Sequence, residues 1–192
     1  MTTPEKPTHP VLAIIDMQVA FSEAGSDWLI PRYAEVENNV AKLANMFEDK
    51  VVWTKFVRAP EEEGAWSEYY DRWSSFRVDE DSRQWDLTLL PAANHTVISR
   101  PTFSKWGPEL AELAPLGTPL VICGVATDCC VLATALAAID DGRSVIVCTD
   151  ACGAVNDLAQ EQTLSVLSLL APMVRLTTTD EVLQILEPSA AS

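Results

Sequence analysis

The order of apolar segments predicts an α/β fold: a three-layer, doubly wound (Rossmann-like), mostly parallel six-stranded sheet with helices on both faces. Short, almost fully apolar runs recur along the chain, as expected of strands that are buried on both faces. Longer segments with apolar residues every three or four positions lie between them, as expected of amphipathic helices. Strands that alternate with helices favour a parallel sheet.

Each element has its own local signal. The six predicted strands are VLAIID (11–16), VVWT (51–54), HTVIS (95–99), PLVICG (119–124), SVIVCT (144–149) and MVRLTT (173–178). The first long helix is predicted over 34–50, where Val36, Val40, Leu43 and Phe47 share one face. Further helices are predicted at 107–113, 128–141, 156–170 and 180–186.

One domain is expected over 11–187, with tails at 1–10 and 188–192, because 192 residues suffice for a single core. An insertion at about 58–91 interrupts the alternation of strands and helices. On a helix its aromatic residues would form one stripe, which favours packing on the domain or on a sister subunit and leaves a pocket role open for one or two rings. These residues are Trp66, Tyr69, Tyr70, Trp73 and Phe76.

The charge balance excludes some partners. A net charge of −15 argues against nucleic acid, because phosphate binding needs clustered cations. No run of about 20 apolar residues predicts a membrane span, and the N-terminus has no apolar core of a signal peptide. We therefore expect a cytoplasmic protein that acts on a small molecule, without nucleic acid or membrane as partner.

Three candidate functional groups follow the carboxyl ends of predicted strands, the edge where ligands bind in open parallel sheets. Asp16 ends the first strand, Arg100 follows the third, and Cys129 and Cys130 follow the fourth. The two histidines lie elsewhere, which argues against a Cys–His pair and against a zinc site. No glycine-rich or Walker loop follows the first strand, so no nucleotide cofactor is expected.

A cysteine without histidine needs another source of activation. A helix N-terminus lowers a thiol pKa, and a desolvated Asp16 could act as general base. Arg100 could pair with Asp16 and stabilise charge on the substrate. Alternatives stay open at this point: Asp16 as a helix cap, both thiols as inert packing, or a redox pair of Cys129 and Cys130. Helical geometry does not choose the nucleophile between these two cysteines.

Four motifs resemble the isochorismatase-like cysteine hydrolase superfamily, which includes nicotinamidases, N-carbamoylsarcosine amidase and isochorismatase. The resemblance covers about residues 11–180 and is specific in combination. The motifs are IIDMQVAF (14–21), RPTFSKWGPEL (100–110), GVATDCCVLATA (124–135) and TDACGA (149–154).

The resemblance implies a role for each matching position. Asp16 is similar to the family's general base and Cys130 to its nucleophile, while Cys129 falls where the family varies. The family's cis peptide falls at Val125–Ala126, the amides of Ala126 and Cys130 would form the oxyanion hole, and Gln18 and Phe21 would contact the substrate.

Two departures accompany the resemblance. Arg100 stands in this alignment where the family has a lysine; Lys105 could substitute for that lysine from elsewhere. The segment KFVRAPEEEG (55–64) lacks the histidines with which nicotinamidases bind a metal, so no metal is expected.

The function that the resemblance implies is hydrolysis of a C–N bond, of the amide or carbamoyl type, through a thioester on Cys130. The alternatives are vinyl-ether hydrolysis of the isochorismatase type, without a nucleophile, and a member weakened because Arg100 replaces the lysine. The family also implies a homo-oligomer, either a dimer or a tetramer.

Overall fold

The structure, a computed structural model, describes residues 9–186. Most of the expected N-terminal tail (1–8) and the whole expected C-terminal tail (188–192) lie outside the described residues. Six strands form one parallel sheet in the order β3-β2-β1-β4-β5-β6, so the predicted fold is confirmed. The strands are β1 (Val11–Ile15), β2 (Val51–Phe56), β3 (Thr96–Arg100), β4 (Leu120–Val125), β5 (Val145–Gly153) and β6 (Val174–Thr177).

Seven α-helices accompany the sheet within residues 9–186. Right-handed crossovers run in one direction from β1 to β2 and in the other from β4 to β5, which places the connecting helices on opposite faces. The helices are α1 (Val19–Ser22), α2 (Tyr33–Phe47), α3 (Ala65–Arg72), α4 (Pro108–Leu113), α5 (Leu132–Asp140), α6 (Asp157–Ser168) and α7 (Thr179–Leu186). Within residues 9–186 no helix is both long and apolar enough to span a membrane.

The strand order reverses between β1 and β4, the two central strands. Every residue of both strands is buried, which explains their almost purely apolar sequences. Gly124, near the end of β4, has a φ of 111°, and a Cβ at this position would overlap the carbonyl oxygen of Ile15. Glycine therefore lets the ends of the two central strands come close together. Ile15 pairs with Gly124, so the residues that follow the two strands, Asp16 and Ala126, lie at the same edge of the sheet, at the reversal.

The insertion at 58–91 differs from the expected single stripe of aromatic rings. Helix α3 ends at Arg72, so Trp73 and Phe76 lie beyond it, and the prediction of one helical stripe is wrong. The chain turns after α3 because Phe76 stacks on Trp28, with ring centroids 3.6 Å apart. This tertiary contact outweighs the local spacing of the aromatic residues.

The helix predicted over 128–141 also begins differently. Its first part is a π-helical turn, Thr127–Val131, and regular α-helix starts only at Leu132. The turn contains both adjacent cysteines. Such π-helical turns occur often at functional sites.

Candidate active site

Asp16 is the first residue after β1, and its side chain is fully buried. Its φ of 48° lies in the left-handed region, which aspartate tolerates better than most residues. Thr54 of β2 holds it twice: the Asp16 N–H donates to Thr54 Oγ1 (3.2 Å), and that hydroxyl donates to Asp16 Oδ1 (2.7 Å). The neighbouring strand thus fixes the orientation of the carboxylate.

Lys105 supplies the positive charge beside Asp16. Its Nζ lies 3.0 Å from Asp16 Oδ2, and both side chains are fully buried. The ammonium also donates to the carbonyl oxygen of Thr102 (2.6 Å) and lies 4.6 Å from the centre of the Phe56 ring. Asp16 Oδ2 itself accepts no hydrogen bond from the described residues, since its contact with Lys105 has the distance but not the geometry of one. This oxygen therefore keeps a lone pair for a further proton.

The expected pair of Arg100 and Asp16 is wrong. Arg100 ends β3, the edge strand, and its guanidinium forms an ion pair with Glu109 on the adjacent surface. It packs against Gly107, where any Cβ would overlap it. Strand β2 lies between β3 and β1, so one strand separates Arg100 from the strand that Asp16 follows. The loop after β3 brings Lys105 back to Asp16 instead.

The π-helical turn presents Cys130 at the end of β4. The peptide bond between Val125 and Ala126 is cis, at the position that the family resemblance implies. The carbonyl oxygen of Ala126 accepts the N–H groups of Cys129 and Val131, both at 3.1 Å. The intervening N–H of Cys130 takes part in neither bond.

The Cys130 thiol is buried, with 3% of the residue exposed. The adjacent Cys129 side chain, burial and the negative charge of Asp16 raise its pKa well above the ordinary value, while the charge of Lys105 acts to lower it. The thiol therefore carries its proton at neutral pH. Attack by this sulfur needs a base, and Asp16 is the carboxylate that acts on it electrostatically.

Thr134, on α5, joins the lysine loop to the cysteine turn. Its buried hydroxyl donates to the carbonyl oxygen of Cys130 (2.7 Å) and accepts the N–H of Lys105 (2.8 Å). The Thr134 side chain thus links the backbone at Lys105 to the backbone at Cys130.

Cys130 lines a pocket of about 300 Å³, called here the Cys130 pocket. Phe21 lines it as expected, and Ala126 and Cys129 border it beside Cys130. Two residues of the insertion's aromatic set, Tyr69 and Trp73, belong to its wall, whereas Trp66 and Tyr70 line a separate cavity. The six rings around the Cys130 pocket are Phe21, Trp28, Phe56, Tyr69, Trp73 and Phe103.

Gln18 does not contact the pocket, so its expected role in substrate binding is wrong. Its amide nitrogen donates to the carbonyl oxygens of Phe56 (3.1 Å) and Trp85 (2.9 Å), and its amide oxygen accepts the N–H of Phe56 (2.8 Å). Gln18 is fully buried and leaves no donor for a ligand. Through these hydrogen bonds Gln18 links the segment after β1 to Phe56 of β2 and to Trp85 of the insertion.

The sequence comparison decides the family. The model of the Isochorismatase domain matches residues 10–181, most of the chain. The chain belongs to the isochorismatase family. Members of this family are hydrolases, amidases and nicotinamidases among them.

Solved structures share the isochorismatase fold with this chain at low identity. A cysteine hydrolase from Pseudomonas syringae pv. phaseolicola superposes with a TM-score of 0.81 at 18% identity, covering 97% of this chain and 96% of its own. A nicotinamidase/pyrazinamidase from Bacillus subtilis gives 0.72 at 17% identity, covering 88% and 100%. An N-carbamoylsarcosine amidase from Thermoplasma acidophilum gives 0.71 at 18% identity, covering 90% and 98%. No curated protein sequence matches the chain significantly.

For this isochorismatase-family chain, sequence reasoning assigned the positive charge to the wrong residue. The available signal was that Lys105 is the only cationic residue between residues 101 and 142. Thr54 and Thr134 carried no sequence signal, because buried threonines in strands and helices are common. Asp16 and Cys130 are brought to one site as the sequence predicts, and Arg100 is not.

Proposed function

We propose that this protein is a cysteine hydrolase that cleaves a C–N bond of a small amide or carbamoyl compound through a thioester on Cys130. The single observation that carries the proposal is the buried group of Asp16, Lys105 and Cys130, of which Cys130 lines the pocket. A protonated thiol, a carboxylate with a free lone pair and a fixed ammonium are the parts that nucleophilic catalysis needs.

The first half of the reaction forms the thioester. Asp16 takes the proton of the Cys130 thiol, and the sulfur adds to the substrate carbonyl carbon. The N–H groups of Ala126 and Cys130 stabilise the resulting oxyanion. The C–N bond then breaks as Asp16 returns the proton to the leaving nitrogen, which departs as ammonia or an amine.

The second half releases the acid. Asp16 takes a proton from water, the hydroxide adds to the thioester carbonyl, and the C–S bond breaks. The proton on Asp16 then returns to the Cys130 sulfur. The Lys105 ammonium, 3.0 Å from Asp16 Oδ2, offsets the negative charge of the carboxylate in this buried site.

This proposal is favoured over the two alternatives from the sequence. Vinyl-ether hydrolysis needs no nucleophile, whereas a cysteine lines this pocket beside a base. The weakened-enzyme alternative depended on Arg100 replacing a lysine, and Lys105 makes the pair with Asp16. The homo-oligomer and the cytoplasmic location stay predictions.

A screen of small amides and carbamoyl compounds, read as ammonia release, tests the proposal. Intact-mass measurement on a rapidly quenched reaction should show an acyl adduct that peptide mapping assigns to Cys130. The Cys130→Ala variant should lose both turnover and adduct, while Cys129→Ala should still form the adduct on Cys130. Turnover that persists in Cys130→Ala contradicts the proposed mechanism.

A further inference from the structure

Two side chains of α3 line the Cys130 pocket one helical turn apart, and Arg72 is exposed. Tyr69 and Arg72 both line it, and residues three apart on a helix share a face. The Tyr69 ring packs against Phe103 and Trp28, with centroid distances of 5.5 Å and 6.1 Å. The Arg72 guanidinium lies 4.8 Å from the centre of the Trp73 ring. The pocket wall thus supports both side chains.

Arg72 makes no ion pair with any residue in 9–186, which is unusual in this chain. Six other arginines of the described region pair with carboxylates, as expected where 28 acidic residues face 13 cations. They are Arg32, Arg58, Arg77, Arg83, Arg100 and Arg143. Two arginines, Arg72 and Arg175, have no carboxylate partner within residues 9–186, and of these Arg72 lines the Cys130 pocket.

Tyr69 offers a second donor beside it. Its hydroxyl forms no hydrogen bond with another residue of the described chain, and burial together with the nearby Cys129 and Cys130 raises its pKa. The hydroxyl therefore stays protonated at neutral pH. A guanidinium and a phenol without protein acceptors suit an acceptor-rich anion, and a carboxylate is the smallest common one.

Two carboxylates, Asp27 and Asp128, also line the pocket, and neither pairs with Arg72. Asp27 Oδ2 accepts the Ser75 hydroxyl (2.7 Å), and Asp128 Oδ1 accepts the N–H of Val155 (3.3 Å). Neither forms an ion pair with another residue in 9–186. Both carboxylates therefore keep their negative charge, and the two residues of α3, Arg72 and Tyr69, are donors without protein acceptors in this pocket.

We propose that the preferred substrate is a small amide with a carboxylate at its far end, bound by the Arg72 guanidinium and the Tyr69 hydroxyl. The inference rests on the proposed hydrolase function and adds its substrate class. The reacting carbonyl lies at Cys130, and the aromatic rings enclose the part of the molecule between the two ends. A volume of about 300 Å³ is at the small end of the range for ligand pockets.

Binding to the Cys130→Ala variant tests the inference without turnover. The probes are benzamide, 4-carbamoylbenzoate and 4-(aminomethyl)benzamide, together with an aliphatic series of butanamide and its terminal carboxylate and ammonium analogues. Calorimetry should show that a carboxylate member binds about 10- to 100-fold more tightly than its neutral counterpart, the range of a charge-assisted contact. Adding Arg72→Gln should remove that difference, and Tyr69→Phe should reduce it.

Arg175→Gln is the matched control. Arg175 is exposed on β6 and, like Arg72, forms no ion pair within residues 9–186, so the substitution removes the same charge away from the pocket. The preference for the carboxylate should persist in this variant. If Arg72→Gln and Arg175→Gln reduce the preference for the carboxylate equally, the inference is overturned. The overall charge of the protein, and not a contact in the pocket, would then explain the preference.

The remaining outcomes separate this inference from the proposed function. Tightest binding of the ammonium members, or no preference in either series, overturns the carboxylate assignment. Hydrolysis of neutral amides through a Cys130 adduct, unaffected by Arg72→Gln, would support the hydrolase function and contradict the carboxylate substrate class. Arg72-dependent binding of the carboxylate without ammonia release or adduct in the parent protein would support the ligand class and contradict the hydrolase function.

Discussion

Replacing Lys105 by methionine tests the central ion pair directly. The substitution keeps an unbranched side chain but removes the ammonium 3.0 Å from Asp16 Oδ2, where both partners are fully buried. Removing one partner of a buried pair leaves the other charge without compensation, which costs about 3–5 kcal/mol. Since a domain of this kind has a total stability of about 5–15 kcal/mol, the free energy of unfolding should fall by a large fraction.

Arg100→Met is the matched control, because it also removes a cation from an ion pair. The partner of Arg100 is Glu109, whose side chain is 60% exposed, and an exposed pair contributes only about 0–1 kcal/mol. Urea unfolding followed by tryptophan fluorescence measures both variants. If Lys105→Met lowers the free energy of unfolding by no more than Arg100→Met does, the reasoning about the buried pair is refuted.

A double-mutant cycle separates the pair from other effects of the substitution. Asp16→Asn combined with Lys105→Met removes both charges, so the double variant should lose less free energy of unfolding than the sum of the two single variants. Turnover should still be absent in the double variant, since the proposed base is missing. Additive losses would mean that the two side chains do not stabilise each other.

Three further predictions concern the surroundings of this pair. Thr134→Val removes the hydroxyl that bonds the Cys130 carbonyl and the Lys105 N–H, and should lower the free energy of unfolding in urea by about 2–4 kcal/mol. Thr134→Ser keeps the hydroxyl and should lower it by only about 1 kcal/mol. Equal losses in the two variants would contradict the linking role. The pKa of Cys130 is raised well above the ordinary thiol value of 9.0, so its alkylation by iodoacetamide should still accelerate above about pH 9. Peptide mass spectrometry measures the rate, and a plateau at about pH 9 would count against the raised pKa. Burial raises the pKa of Cys148 to about 12, so the stability from its neutral thiol is complete below the unfolded-state pKa of 9.0 and is lost as the pH rises towards about 12. The difference in unfolding free energy between the parent and Cys148→Ala should therefore shrink by about 1.4 kcal/mol per pH unit above about 9, and a constant difference would contradict this.

The local sequence pattern was sufficient for the strands, for their order along the chain, and for the positions of Asp16 and of the adjacent Cys129 and Cys130; the choice of Cys130 between the two came from the family resemblance. Strand β1 is apolar because it is buried on both faces, and the polar residue after it marks the edge of the sheet. The reversal of strand order then places Asp16 beside the turn after β4. Both inferences need only the period of the apolar residues and the general rule for parallel sheets.

The insertion shows where that pattern stops being informative. The spacing of its aromatic residues is the same on both sides of Arg72, yet the helix ends there, and four of the five rings divide between two cavities. Stacking of Phe76 on Trp28, a residue nearly fifty positions earlier in the chain, decides the turn. Helical periodicity contains no information about such a distant contact.

The sequence by itself determined the sheet, the carboxylate at the end of β1 and the cysteine after β4, because each depends on residues close together in the chain. Only the tertiary structure decided which cation accompanies Asp16 and that the Gln18 amide binds backbone rather than ligand. The reach and direction of a long side chain depend on the path of the loop that carries it. That path is set by packing and hydrogen bonds to distant elements, such as the bond from the Lys105 N–H to Thr134.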